Sequence, residues 1–233
     1  GRLSNITAVG DISAVGSSGQ TVGGIAGTLY KRGDATEYTG ENLESLVNIT
    51  NGSGAAIIGG VVGWFGGSIN YAVNNGILMN NPSSSAGSLD QKITPMRFSS
   101  SMTPTLQETS ESLKAITGGV VGMAVSGSTI ENSYNGNSVL SNFGTDQTSQ
   151  IDVVSGGVVG YATGDEGSGV KISNSYNASL VGSGTYESES YAYAGGIVGY
   201  AQNVTMTGCV NDGPVQALGE EDGDYYILVD DIS

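Results

Sequence analysis

The chain has 233 residues, of which 39 are glycine, only 4 are proline and 12% are charged. Glycine at more than twice its usual share of roughly 7%, with about half the usual charge of roughly 25%, is an all-β composition whose surface consists of serine, threonine, asparagine and glycine. The glycines follow no strict triplet, which excludes collagen. Seven basic and 22 acidic residues give a net charge of −15, which argues against a nucleic-acid partner.

Residue types that the chain lacks limit its chemistry. There is no histidine, which excludes histidine-based acid–base catalysis and imidazole metal ligands. The single cysteine, Cys209, permits neither an internal disulfide nor a thiolate zinc site, so we expect no cofactor. Apolar runs such as 55–64 are far shorter than the roughly 20 residues of a membrane span, so no direct membrane insertion is expected. The chain opens at Gly1 without a signal peptide or anchor, and we interpret it as part of a longer protein.

An internal repeat runs along the chain. A degenerate first copy, residues 3–10, aligns without gaps with residues 206–213. The pentapeptide Gly-Gly-(Ile/Val)-(Val/Ala)-Gly then occurs five times, starting at Gly23, Gly59, Gly118, Gly156 and Gly195. Each copy is followed by a second element, an aliphatic residue with an asparagine five positions later. These elements run from Leu43 to Asn48, Ile69 to Asn74, Ile130 to Asn135, Ile172 to Asn177 and Met206 to Asn211.

The repeat spacing predicts the fold. The pentapeptides start 36, 59, 38 and 39 residues apart, which is a period typical of a solenoid or a propeller with one large insertion. Three glycines in five residues exclude a helix, because each costs about 1 kcal/mol in a helix interior. A propeller of roughly 40-residue blades normally carries a Trp-Asp signature, and this chain has one tryptophan, Trp64. We therefore predict a single all-β domain over 1–233, a right-handed parallel β-helix (β-solenoid) of about five coils.

Equivalent residues of successive coils are expected to stack about 4.8 Å apart. The predicted internal stacks are Ile69 with Ile130, Ile172 and Met206, and Val61 with Val120, Val158 and Ile197. The repeat asparagines are expected at a corner, in a left-handed conformation and bonded to one another: Asn48, Asn74, Asn135, Asn177 and Asn211. The glycine pairs indicate tight bends or close backbone approach: Gly59, Gly60, Gly118, Gly119, Gly156, Gly157, Gly195 and Gly196. Cys209 shares its repeat position with Ala72, Ser133 and Ser175 and is expected to face inward.

The repeat resembles a known family. Residues 195–200, Gly-Gly-Ile-Val-Gly-Tyr, followed by 206–215, are similar to the GLUG repeat of bacterial cell-surface proteins, as are 156–161 with 172–177. The chain departs from the family pattern by having Ile or Val at the usual leucine position. The resemblance implies an extracellular, surface-attached protein, as in large adhesins and the non-catalytic regions of IgA-specific metallopeptidases. It brings no catalytic residue.

Two segments depart from the repeat. Residues from about 80 to 114 form an insertion with three of the four prolines, in which 106–116 is compatible with a short helix capped by Thr105. The insertion fits either a capping loop or a recognition loop. The acidic tail, 219–233, contains Asp222 and Asp224, which are weak calcium candidates. No calcium-loop pattern is present, so a solvated loop leading to a last strand at 225–229 is the alternative.

Aromatic residues recur at fixed repeat positions. Tyr134 and Tyr176 share one position, and Trp64, Tyr161 and Tyr200 share another, where the third copy has Met123. Exposed rings beside amides bind sugars well, so these five are candidate ligand-binding residues, and stacking within the solenoid wall is the alternative.

These observations support two functions. The first is an extracellular structural or adhesive repeat module, not an enzyme, that spaces or presents a binding region for a host glycan or surface protein. The alternative is a carbohydrate-active β-helix enzyme that uses carboxylates for acid–base chemistry. Its candidate residues, Asp146, Asp152, Asp165 and Glu166, show no spacing that marks a catalytic pair.

Overall fold

The computed structural model describes residues 1–16, 19–30, 38–83, 85–86, 89, 113–143, 151–185, 190–221 and 224–228. These residues form β-strands and no helix, which confirms the all-β prediction. No helix long and apolar enough to cross a membrane occurs in this part of the chain. In chain order the strands are β1 (Arg2–Ala14), β2 (Gln20–Gly23), β3 (Ala26–Tyr30), β4 (Tyr38–Asn51), β5 (Ala56–Gly59), β6 (Val62–Asn74), β7 (Leu78–Asn80), β8 (Leu113–Gly118), β9 (Val121–Ala124), β10 (Thr129–Glu131), β11 (Tyr134–Asn135), β12 (Val139–Ser141), β13 (Asp152–Gly156), β14 (Val159–Thr163), β15 (Val170–Ser173), β16 (Tyr176–Asn177), β17 (Val181–Gly184), β18 (Ala192–Gly195), β19 (Val198–Gln202), β20 (Val204–Thr207), β21 (Val210–Asn211), β22 (Val215–Glu221) and β23 (Asp224–Leu228).

The strands form three faces of a strongly curled, mostly parallel arrangement. Face 1 is the sheet β2-β5-β8-β13-β18, and face 2 is β3, the first half of β6, β9, β14 and β19. Face 3 contains the other strands and the second half of β6. Each strand of faces 1 and 2 pairs in parallel with its counterpart in the next repeat. Among the strands described, β22 and β23 are the one antiparallel pair. This arrangement is compatible with the predicted β-solenoid.

The core consists of columns of like side chains. Ile69, Ile130 and Ile172 pair in register and are buried together with Val61, Val120 and Val158, as predicted. Burying one such side chain contributes roughly 1.5–3 kcal/mol. Met206 continues the isoleucine column in register but is 48% exposed, because β20 pairs only with β15 and its other edge is open in the described structure. The column is therefore internal except at this end.

The register of β4 differs from the sequence alignment. The alignment sets Leu43 against Ile69 and Asn48 against Asn74, whereas the strands pair Gly40 with Ile69 and Ser45 with Asn74. Asn48 is exposed, and its amide donates to Oδ1 of Asp11 at 2.9 Å. The segments 43–48 and 69–74 have the same internal spacing, so spacing alone could not reveal this shift of three residues. Burial of Leu43 and Ser45 on the inner side of β4 decides the register.

The insertion and the tail are described only in part. The proposed helix over 106–116 is wrong at its end, because Leu113–Gly118 is strand β8, paired in parallel with β5 and β13. Hydrogen bonding to two neighbouring strands outweighs the local helical pattern there. Residues 90–112 and Asp222 lie outside the described residues. The last strand, expected at 225–229, is confirmed as β23, one residue earlier.

Candidate functional site

Four of the repeat asparagines form a hydrogen-bonded ladder along face 3: Asn74, Asn135, Asn177 and Asn211. The side-chain amide of each of the first three donates to Oδ1 of the next asparagine at 2.7–2.8 Å. Each of the four also donates to the backbone carbonyl two residues further on, at 2.7–2.9 Å. The first three are fully buried, where a satisfied polar network is strong and a broken one is costly. The predicted bonding between repeats is therefore confirmed for these four residues.

The second glycine of each pair leaves room for this ladder. A Cβ on Gly119 would meet the carbonyl oxygen of Gly157 and lie 2.6 Å from Cγ of Asn135. A Cβ on Gly157 would likewise meet the carbonyl oxygen of Gly196 and lie 2.5 Å from Cγ of Asn177. Neither glycine has a positive φ, so close approach rather than backbone conformation requires glycine here. Gly60 and Gly196 are crowded in the same way by Asn74 and Asn211. A Cβ on the first glycine of a pair would instead meet the backbone carbonyl oxygen three residues further on, as at Gly59, Gly118, Gly156 and Gly195.

The left-handed residues form a different column from the one expected. No asparagine of the ladder has a positive φ. Instead, the residue three positions before each of them does, with φ between 49° and 64°. This column consists of Asn5, Asn42, Tyr71, Asn132, Asn174 and Gly208. Its asparagines tolerate the conformation well, whereas Tyr71 does not. Three of its side chains form hydrogen bonds across the repeats: Asn42 donates to Asn5, and Asn132 donates to Asn70.

We expect Tyr71→Asn to stabilise the protein by about 1 kcal/mol. The φ of Tyr71 is 59°, a conformation that costs a residue with a bulky side chain roughly 1–2 kcal/mol and an asparagine less. The ring is 53% exposed, so little buried area is lost. Chemical unfolding measures the change. The control is Tyr191→Asn, at a similarly exposed tyrosine without a positive φ, which should bring no gain; equal effects at both positions would contradict the argument.

The first aromatic pair forms part of the outer wall. Tyr134 and Tyr176 pair in register, and their ring planes are 4° apart with centroids separated by 5.7 Å. The Tyr176 hydroxyl donates to Oδ2 of Asp212 at 2.9 Å. Each ring thus covers a face of the other, and both side chains are half-buried. Wall stacking, the alternative interpretation, describes this pair, although its exposed parts remain available to a ligand.

Titration of Tyr176 provides a test of this contact. The hydrogen bond to Asp212, with that carboxylate's charge, raises the pKa of the Tyr176 hydroxyl above its ordinary value of 10.0. The folded protein therefore holds this proton more tightly than the unfolded chain, and the resulting stabilisation, present below pH 10, is lost as the pH rises through the raised pKa. Asp212→Asn should move the titration of Tyr176 downward, measured by the absorbance of tyrosinate. Asp11→Asn is the control, and identical titrations of all three proteins would contradict the assignment.

The second aromatic column lies mostly in the core. Trp64, Met123, Tyr161 and Tyr200 follow one another in register on face 2. Trp64 and Tyr161 are each only 1% exposed, so these two candidates pack inside the protein, where a ligand does not reach them. Tyr161 stacks on Tyr200, with centroids 4.8 Å apart and planes 14° apart. Tyr200 is half-buried and is the member of the column nearest to solvent.

Tyr200 belongs to an aromatic corner that the sequence analysis missed, made of Tyr191, Tyr193 and Tyr200. Tyr193 meets Tyr200 edge-on at 6.1 Å and lies 6.3 Å from Tyr191. Tyr191 and Tyr193 are both exposed. Burial of its hydroxyl and the nearby charge of Asp152 raise the pKa of Tyr193. The alternating Tyr-Ala-Tyr at 191–193 was the available signal, because alternate residues of a strand share a face.

Of the carboxylates proposed for catalysis or calcium binding, the four that the structure describes lie in three different elements. Asp152 is buried in β13, where Oδ1 accepts a hydrogen bond from the backbone N–H of Tyr191 at 2.8 Å. Asp165 and Glu166 are exposed in the turn before β15. Asp146 and Asp222 lie outside the described residues, and Asp224 begins β23. Within the described part of the chain, no group of three or more His, Cys, Asp or Glu side chains is placed to hold a metal ion.

Comparison with known proteins gave no match. No protein-family model matches the sequence, and no curated protein and no solved structure matches it either. The resemblance to the GLUG repeat therefore stays a prediction from the residues.

Proposed function

We propose that this protein is an extracellular structural and adhesive repeat module of a bacterial cell-surface protein, as its resemblance to the GLUG repeat implies. The module is a right-handed β-solenoid of about five coils whose repeat is interrupted by one insertion, at about 80–114. It is attached to the cell through other regions of the protein and spaces or presents a binding region for a host glycan or surface protein.

The observation that supports this proposal most is the asparagine ladder. Asn74, Asn135, Asn177 and Asn211 join successive repeats along one axis by side-chain bonds, in addition to the backbone bonds of the parallel strands. Both kinds of bond run in the stacking direction, so bending the stack strains them together. A stiff rod is suited to holding a binding region away from a surface, because it transmits position without a flexible linker.

Three half-buried tyrosines are the ligand contacts that we propose for this module. Tyr134, Tyr176 and Tyr200 are partly open to solvent, and the hydroxyl of Tyr176 is already oriented by Asp212. Aromatic rings with adjacent amides and hydroxyls bind sugars through C–H contacts and hydrogen bonds.

Two measurements on the same protein test the proposal. Small-angle X-ray scattering should fit a stack of about five coils about 4.8 Å apart, roughly 24 Å long, and a profile that this stack does not fit would contradict the solenoid. A glycan and host-matrix array, run with and without calcium, should give a specific hit that the Tyr134→Ala/Tyr176→Ala variant loses. The control Tyr71→Ala changes an exposed tyrosine elsewhere on face 3 and should keep the hit. No hit in either condition would overturn adhesion and leave only a spacer.

A further inference from the structure

A strip of apolar side chains crosses the outside of face 3. Four of its members lie in strands β1, β4, β7 and β12, and the other two lie just before β7 and just after β12. Several are unusually exposed for aliphatic residues: Val9 is 76% exposed, Leu46 40%, Ile77 40% and Met79 37%. Contiguous exposed apolar surface on a protein commonly marks an interaction site. We call this strip the apolar diagonal, defined as Val9, Leu46, Ile77, Met79, Leu140 and Phe143.

Strand register makes these residues neighbours. Val9 pairs directly with Leu46, and Met79 pairs directly with Leu140, so each couple lies side by side on adjacent strands. Ile77 is two residues before Met79, and its N–H donates to Oδ1 of Asn48, which brings the segments of Leu46 and Ile77 together. A Cβ on Gly182 would lie 2.7 Å from the Phe143 ring and 3.0 Å from Leu140, so these two side chains converge over that glycine. The strip therefore crosses several strands without a break.

Carboxylates border the apolar diagonal at its start. Along β4, Glu44 is two residues before Leu46, and along β1, Asp11 is two residues after Val9, so both lie on the outer side of their strands beside the Val9–Leu46 couple. Asn48 donates to Asp11 at 2.9 Å and Thr7 to Glu44 at 3.4 Å, and neither contact neutralises a charge. The one ion pair seen among the described residues joins Arg2 to Glu41. The surface thus combines exposed aliphatic groups with two carboxylates that no described basic side chain pairs.

We propose that the apolar diagonal is a docking surface for a cationic, amphipathic polypeptide segment of another protein. Aliphatic side chains of the partner cover the diagonal, while its lysines or arginines lie beside Asp11 and Glu44. Charge selects this partner: the chain carries −15, so a second copy, an anionic membrane or a nucleic acid meets repulsion. This inference goes beyond the proposed function, because it adds a second binding surface, with a peptide partner, to the tyrosine contacts proposed above.

The test uses the whole chain and three peptides of twelve residues, with binding measured by isothermal titration calorimetry. The first alternates lysine and leucine, the second replaces lysine by glutamate, and the third replaces leucine by serine. We expect binding of the first peptide only, weakening as salt is raised. Equal binding of the serine peptide would overturn the proposal, because charge alone would then explain it. Failure of the first peptide to bind would also overturn it.

Variants locate the site. Leu46→Glu and Met79→Glu should each weaken binding of the lysine–leucine peptide about tenfold, since each removes an apolar anchor at the centre of the contact. Val210→Glu adds the same charge at an exposed residue of the last repeat and should leave the affinity unchanged. Asp11→Asn with Glu44→Gln should reduce the dependence of affinity on salt. Equal weakening by all three glutamate variants would overturn the location. A scattering profile that fits the coil stack, without peptide binding, would show failure of this surface alone, whereas a profile that does not fit would show failure of the solenoid.

Discussion

Replacing Asn135 by alanine is expected to lower the free energy of unfolding by about 3–5 kcal/mol. Asn135 accepts a hydrogen bond from Asn74 and donates to Asn177 and to the backbone carbonyl of Asn137, so its loss leaves partners unsatisfied on both sides. Asn74, Asn135 and Asn177 are fully buried. Each buried polar group left without a partner costs roughly 1–3 kcal/mol. The truncation also leaves a small cavity beside Gly119.

The measurement is urea unfolding followed by circular dichroism, with Asn211→Ala as the matched control. Asn211 accepts the same kind of hydrogen bond, from the side-chain amide of Asn177, but it is exposed at the open end of the ladder. Water can therefore replace the hydrogen bonds that the variant loses. Replacing Asn211 should cost about 1 kcal/mol. Equal losses for the two variants would show that burial of the ladder does not determine its contribution. If Asn135→Ala does not fold, Asn135→Asp is used as a milder replacement, and its free energy of unfolding is measured across pH.

Gly157→Ala is expected to destabilise the protein by about 3 kcal/mol, the upper end of the usual cost of overpacking. The new methyl group would occupy the position of the Gly196 carbonyl oxygen and press on Cγ of Asn177. Backbone atoms lie on one side and the buried ladder on the other, so relief requires that two repeats move apart. Such movement would lengthen the hydrogen bond between Asn177 and Asn211, which is 2.8 Å long.

The control for this variant is Gly52→Ala, because a Cβ at Gly52 meets nothing within 4 Å and its φ is not positive. That replacement should be neutral or stabilise by a few tenths of a kcal/mol, since alanine restricts the unfolded chain. Thermal unfolding of both variants measures the difference. If Gly157→Ala and Gly52→Ala unfold at the same temperature, close backbone approach does not explain why the second position of each pair is glycine.

Much of the scaffold was predictable because the repeat is a packing rule. Gly156 had to pair with Gly195 and Ile130 with Ile172 once the strands were assumed to stack in parallel, and the structure pairs them so. The rule failed at Asn48, because the segment 43–48 matches 69–74 in its spacing, although the strands pair 40–45 with 69–74. Only the burial of Ser45 opposite Asn74 distinguishes the two registers.

The candidate site was less predictable, because repeat position does not specify exposure. Tyr161 and Tyr200 occupy the same position, yet one is buried between two repeats and the other lies near the open end. The apolar diagonal has no signature in the sequence at all. Leu46 and Met79 are 33 positions apart in the chain and become parts of one strip only through the pairing of β4 with β7.

The sequence by itself determined the strand class, the repeat, and the asparagine and glycine positions that recur with it, because these depend on local conformation and on stacking of like residues. The tertiary structure decided the register of β4, the left-handed column that includes Tyr71, and the division of the tyrosines between core and surface. These features depend on which repeat lies on each side of a residue. At the ends of the stack one neighbouring repeat is missing, so positions that are equivalent in the sequence have different environments there.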